Sequence, residues 1–575
     1  MDKIVKGANY TLAKEIADRI DAEIVETLKK GQSFRVEAGA GSGKTYSLNK
    51  VIEWIQNNNW NYYNRNKQNV ICITYTNAAV DVIIQRLSKE SFIIPSTIHS
   101  FAWSAIKQYQ STLIKFIEED ESLFAEKTDL SEIKEVAYTL GHRYRENGIH
   151  YLYHNDVLNL FAKLLDNPKF RRIFSNKYPL ILIDEYQDSY KPIIDRFIKY
   201  FIAENKGPQF GFFGDAWQTI YQNNNACGLI EHPNLKVINK GSNFRCAPKI
   251  VEILNKIRPD LPQQSAIDGF EGIVQVVTSE DYCGVRRSER NFKDDLPIEE
   301  LRERIECIKN NLKDKAEDED VKVLMITHKV LAYQQGYERL FDIISDSLKD
   351  KEDVLLVYFM NMVEPIYKAL IDSDMKLLFN TLGVKRYPIT KKSEKIKWKA
   401  LKKNLEIARN KKSIDVLQVV VESELIPLAP QIEELYIKYN SDPNHSYGNA
   451  NIKAILDLDY SQFLSAIHFL YPESEFSTEH GVKGEEYDNV VVVVSRGWNQ
   501  YQFDTYVPMI NKPVEKEKEA AFIRNRNLFY VCCSRPIKRL LLFISIPVNE
   551  DFKKALVDIF GKNNIFTYKE YLEMD

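Results

Sequence analysis

The residues with the clearest chemistry form one short stretch, Ala38-Gly39-Ala40-Gly41-Ser42-Gly43-Lys44-Thr45. It fits G-x-x-x-x-G-K-[ST] with alanine in the first place. Glycines in such a loop let backbone N–H groups turn inward around phosphate oxygens, and a helix starting at its end adds its dipole. Lys44 would neutralise the outer phosphates of a nucleoside triphosphate, and Thr45 would offer a hydroxyl to Mg²⁺. Further on, "LILIDEYQD" puts Asp184 at the end of an apolar run with Glu185 next to it. That placement suits Asp184 as a second magnesium ligand and Glu185 as the base that orients and deprotonates an attacking water.

These groups must be held by strands and helices of the right length. The runs "SFRVEA" (33–38), "VICITY" (70–75), "LILID" (180–184) and "FGFFGD" (210–215) have the length of buried parallel strands. After the first, Leu48, Val51, Ile52 and Ile55 fall on one face of a helix. The second half repeats this grammar with runs at 272–279, 322–328, 489–495 and 539–545, and 257–272 reads as a linker between the halves. The expected fold class is α/β, with two parallel-sheet cores in tandem, each interrupted by a mainly helical insertion. The boundaries expected are 1–103 and 177–258 for the first core around an insertion at 104–176. For the second they are 259–335 and 472–575 around an insertion at 336–471.

The bulk numbers allow this. With 575 residues the chain holds roughly three or four domains. A composition 44% hydrophobic and 28% charged builds buried cores, and a formal charge of −3 leaves room for a local basic groove. Seven cysteines without a C-x-x-C pair read as reduced thiols rather than a metal or iron–sulfur centre. The amino terminus lacks a signal-peptide core, and no apolar run reaches the ~20 residues that cross a bilayer. The expectation is a cytoplasmic protein with no membrane partner.

Eight segments in order resemble the boxes of the UvrD/Rep branch of superfamily 1 helicases. Besides the phosphate loop and "DEYQD" (184–188), they are "ITYTNAAVDVIIQRL" (73–87), "STIHSFAW" (96–103), "GDAWQTIY" (214–221), "SNFRCAPKI" (242–250), "STEHGVKGEEYDNV" (477–490) and "LFYVCCSRPIKRL" (528–540). The resemblance implies two RecA-like cores (1A and 2A) with insertions 1B and 2B, and ATP with Mg²⁺ between the cores. It implies that Arg245 and Arg535 close on the γ-phosphate from beyond the first core, where such arginines are worth ~10³–10⁵ in rate. It also implies that Gln218 links γ-phosphate and water to the nucleic-acid side, that Phe244 stacks on adenine, and that Gly484 and Glu486 adjoin the nucleotide. By the same resemblance Tyr75, Thr76, Asn77, His99, Ser100, Phe101 and Tyr221 line a single-strand path in the first core, faced by Thr478, His480 and Lys483 of the second.

The chain departs from the family pattern in four places. No glutamine box precedes the phosphate loop, Asn223 stands where a stacking aromatic is usual, the last box reads Ser534-Arg535-Pro536 with Asn525 in place of an acid, and the second insertion is short. That insertion holds "KKSEKIKWKALKKNLEIARNKK" (391–412), with ten basic and two acidic residues, read as a helix with Leu401, Leu405 and Ala408 on one side. It is either a solvated face or a phosphate- or partner-contacting one. The resemblance implies a DNA translocase or helicase, 3′-to-5′, acting on single-stranded or tailed duplex DNA in repair, recombination or anti-phage defence. The alternative is a DNA-sensing ATPase subunit that regulates a partner nuclease. A built-in nuclease is disfavoured, because Pro259-Asp260 and Asp320-Val321-Lys322 imitate a PD…(D/E)xK pattern only from a linker and the start of a core strand.

Overall fold

The computed structural model describes residues 7–74, 76–87, 91–120, 123, 133–139, 143–220, 225–315, 319–326, 328–349, 353–383, 392–471, 474–479, 481–496 and 500–574. Two six-stranded sheets, parallel throughout, dominate it. The first uses β1 (Phe34–Ala38), β2 (Val70–Thr74), β3 (Ile93–Thr97), β4 (Leu180–Asp184), β5 (Gln209–Gly214) and β6 (Lys236–Lys240), in the order β3-β2-β4-β5-β1-β6. The second uses β7 (Ile273–Thr278), β8 (Val321–Met325), β9 (Phe476–Thr478), β10 (Tyr487–Val494), β11 (Pro536–Ile544) and β12 (Ile565–Thr567), in the order β9-β8-β10-β11-β7-β12. All eight runs read as strands form strands. In both sheets central strands such as β1, β2, β4 and β8 are fully buried and mostly apolar, because helices cover both faces.

Helix Pro248–Ile257 corrects the boundary at 258. Its buried Ile250, Val251, Ile253, Leu254 and Ile257 pack with Val274 and Val276 of β7 and Leu540 and Leu542 of β11. The second core therefore begins just after Asn243, and Arg245 rides on it. The first insertion is less helical than expected. Beside helices such as His154–Leu165 it carries a three-stranded sheet of 135–138, 144–146 and 149–152.

The second insertion is helical and shares its hydrophobic core with one face of the second sheet. Within it, helix Val354–Asp372 has 19 residues and is long and apolar enough to cross a membrane, contrary to the expectation from sequence. Here Leu355, Leu356, Phe359, Val363, Ile366 and Ala369 are packed in the protein core. The lysine-rich segment forms helix Lys392–Ala408, which buries Trp398, Leu401, Leu405 and Ala408 and leaves Lys395, Lys397, Lys399 and Lys403 exposed.

Candidate active site

Strand β1 delivers the chain into the phosphate loop at Ala38, which is 1% exposed and leaves no room for much more than its methyl group. Gly41 and Gly43 have φ of +71° and +75°, a region that side chains disfavour. A Cβ on Gly41 would also meet Asn243 Oδ1 at 2.7 Å and Arg245 Cβ at 2.8 Å, so the loop and the second core touch here. Ser42 is buried, its N–H donating to Gly39 O at 3.1 Å, and helix Lys44–Arg65 starts directly behind. Thr45 is exposed at the helix start.

Lys44 Nζ lies 2.5 Å from Glu185 Oε1. Burial works against every charge in this cluster. At Lys44 and Glu185 it is outweighed by their mutual attraction, so the ammonium is held on and the carboxyl is held down, with Lys483 adding to the latter. Asp184 is pushed up by burial, and the negative charge of Glu185 adds to the push. Glu185 has φ +49° and ψ +45°, a left-handed conformation rare for its type, which aims its carboxylate back at Lys44 and at Gln187 Nε2, 2.6 Å away. An acid pair with one lysine leaves excess negative charge that a divalent cation would relieve. No group of three or more His, Cys, Asp or Glu among the described residues could hold a metal alone. The donors therefore fit Mg²⁺ as it is usually held, by Asp184 and the Thr45 hydroxyl together with triphosphate oxygens.

The second core meets this loop at Arg245, whose Cβ lies against Gly41, but the arginine side chains turn to partners within the second core. Arg245 donates from Nε to Glu486 Oε2 at 3.0 Å and from Nη1 to Ser534 O at 3.2 Å. Arg535 is 1% exposed and donates to Val531 O (3.0 Å), Glu485 O (3.2 Å) and Ser534 Oγ (2.9 Å), all neutral acceptors. Burial and the charge of Arg245 push it down to about 10. Arg245 is thus paired with a carboxylate, whereas the neighbouring Arg535 is served by neutral oxygens only and keeps an uncompensated positive charge. Phe244 donates its N–H to Gly41 O at 2.8 Å and has its ring edge-on to Tyr10, 6.4 Å between centroids. Gly484 has φ +90° with open space about its Cα.

Other expected residues sit differently from expectation. Gln218 Nε2 donates to Asp215 Oδ2 at 2.8 Å, turned along its own loop. Glu486, expected to adjoin the nucleotide, is half-exposed and paired with Arg245. Lys483 does not face a strand path, because its ammonium crosses the cleft to pair with Asp188 and to donate to Gln218 O at 2.6 Å. Thr478 is buried and its hydroxyl accepts from Gly481 N–H at 3.0 Å. Phe101 is 3% exposed and packs edge-on to Phe161 and Tyr178, so it belongs to the hydrophobic core that the first sheet shares with the first insertion and not to a strand path. Tyr75, Tyr221 and His480, like Asn223, lie outside the described residues. Thr76, Asn77, His99 and Ser100 do line one cleft of about 1160 Å³, which ends at Asp184, Glu185 and Asp188.

Several contacts were not foreseen from sequence. The hydroxyl of Tyr530, on helix Lys516–Cys533 of the second core, accepts from Ala40 N–H at 3.2 Å. Arg258, 2% exposed, joins Glu37 of β1 (2.9 Å) to Asp215 (2.5 Å) and lies over the rings of Trp217 and Tyr530. Asn527 Nδ2 donates to the carbonyls of Ala216 and Thr219, both at 3.2 Å. Tyr530 and Asn527 fall in or beside a quoted box, whereas nothing in "ILNKIRPD" marks Arg258.

Comparison with known proteins agrees with this architecture. Residues 21–224 match the AAA domain family. Gabija protein GajB of Bacillus cereus (strain HuB5-5) is 24% identical, over 96% of this chain and 98% of its own length. The ATP-dependent DNA helicase Rep of Buchnera aphidicola subsp. Schizaphis graminum is 27% identical over 38% of this chain and 41% of its own. In sequence the chain is similar to UvrD/Rep-like helicases of superfamily 1. The mitochondrial ATP-dependent DNA helicase HMI1 of Saccharomyces cerevisiae, 25% identical over 43% of this chain and 41% of its own, falls in the same pattern.

Proposed function

We propose that the protein is an ATP-dependent translocase on single-stranded DNA, moving 3′-to-5′, whose cleft closes on the triphosphate. The observation that carries this reading is the convergence of both cores on one loop. Arg245 and Tyr530 of the second core lie against Gly41 and Ala40, and the strand-side cleft ends at the same Glu185 that pairs with Lys44. A γ-phosphate arriving at the loop would compete with Glu185 for Lys44. The freed carboxylate would then be the strongest acceptor available to orient a water. Arg245 and Arg535 would stabilise charge developing on the transferred phosphoryl group, and loss of that group would loosen the grip between cores. Bound through Thr45 and Asp184, Mg²⁺ would supply charge neutralisation for the phosphates.

A second reading, a DNA-sensing ATPase subunit that regulates a partner nuclease in anti-phage defence, is favoured by the end-to-end similarity to a Gabija protein. The two separate in a pair of assays. One measures ATP hydrolysis with and without single-stranded DNA, single-stranded RNA and duplex. The other follows strand displacement from 3′-tailed and 5′-tailed duplexes. Displacement from the 3′-tailed substrate alone is the result expected of a translocase. Stimulation by DNA without displacement supports the sensor, and absence of any stimulation by nucleic acid overturns both.

A further inference from the structure

The cleft beside Glu185 has an unusual lining for a nucleic-acid path. Among the described residues no lysine or arginine lines it, and Asp184, Glu185 and Asp188 lie at one end, where Lys44 and Lys483 pair with Glu185 and Asp188. Those two ammoniums are already engaged by carboxylates, so the described lining offers phosphodiesters no free cation. The outer wall is built instead of rings. His99, from the first core, lies face to face with His154 of the insertion, with centroids 3.5 Å apart and planes 19° apart. Tyr138 continues the series, 5.9 Å from His154 at 31°, and its hydroxyl is hydrogen-bonded to His154 Nδ1. Trp103 backs Tyr138 from behind at 6.1 Å.

Burial, helped by His154, pushes His99 down to about 4, and burial lowers His154 as well, so the paired rings are neutral at neutral pH. Neutral stacked rings give phosphates little to bind and give a nucleobase a π-face. Neither Tyr138 nor His154 falls in any of the eight boxes. Both are fixed by their neighbours: Tyr138 by its strand at 135–138, and His154 by the start of helix His154–Leu165.

We propose that His99, His154 and Tyr138 form a ladder on which unpaired nucleobases stack, with the strand's phosphates turned outward. This rests on the strand-tracking reading above and adds the part of the strand that the first insertion grips. The test uses fluorescence anisotropy with two labelled probes of equal charge, a roughly 12-nucleotide oligo-dT and its fully abasic counterpart. The wild-type protein is expected to bind oligo-dT at least about tenfold more tightly. His154→Ala should lose about tenfold to a hundredfold on oligo-dT, the range of one base–aromatic stack, with little change on the abasic probe. His154→Phe should restore binding. Equal affinity of the wild type for both probes would overturn the ladder without any variant being needed. So would an equal loss on both probes in His154→Ala, the mark of a merely structural role. Binding of neither probe by the wild type would remove the strand reading itself, and the ladder with it.

Discussion

Lys44 and Glu185 hold each other, and removing either has a different signature. Lys44→Ala should abolish stimulated hydrolysis and weaken nucleotide binding. Glu185→Gln should bind ATP at least as well but turn over ~10²–10⁴-fold more slowly, as loss of a positioned base does. Stopped-flow binding with a fluorescent ATP analogue, paired with phosphate release, separates the two. A second residue-scale prediction concerns Glu479, which is fully buried with neither carboxylate oxygen hydrogen-bonded among the described residues. Burial raises it well above the ordinary carboxylate range. The folded state therefore keeps a proton that the unfolded state releases above about pH 4.3. The stability this confers is complete below that pH and is lost as pH rises toward the folded value, at roughly 1.4 kcal/mol per unit. Glu479→Gln lacks this term, so its Tm should gain on the wild type as pH rises above about 5. Parallel Tm curves would refute it.

At the scale of elements, helix Ile98–Ile106 shows where the sequence was legible and where it was not. The box "STIHSFAW" locates the helix, but each residue turns the chain by about 100°. His99 and Ser100 face the cleft, whereas Phe101, with Ala102 and Ala105, faces the core. Burial phase rather than box membership decides Phe101. Phe101→Ala should therefore destabilise the first core by about 3–5 kcal/mol, read from chemical denaturation, while single-strand affinity measured well below the melting point stays near wild type. The central strands were legible because both faces are covered and most positions are apolar. The edge strands β3, β6, β9 and β12 were not. β3 contains Pro95, which only an edge tolerates easily, and β6 alternates Lys, Val, Ile, Asn and Lys. The same limit hid Arg258, whose meaning lies in Glu37, Asp215, Trp217 and Tyr530, four partners far apart in the chain.

For the whole molecule, the account requires the triphosphate to be shared between cores. Ala40 to Tyr530, Lys483 to Asp188, and Asn527 to the Ala216–Thr219 turn are cross-core contacts that already hold the phosphate loop, the acid pair and the Gln218 turn against the second core. The most direct measurement is single-turnover ATP hydrolysis, with single-stranded DNA present, by Arg245→Ala and by Arg535→Lys, the latter chosen because Arg535 is buried. Nucleotide affinity is measured alongside. The account predicts a fall in the hydrolysis step of ~10³-fold or more for Arg245→Ala, and a substantial fall for Arg535→Lys, with affinity changed far less. Hydrolysis at the wild-type rate in both folded variants would contradict it, because the site would then lie within the first core alone.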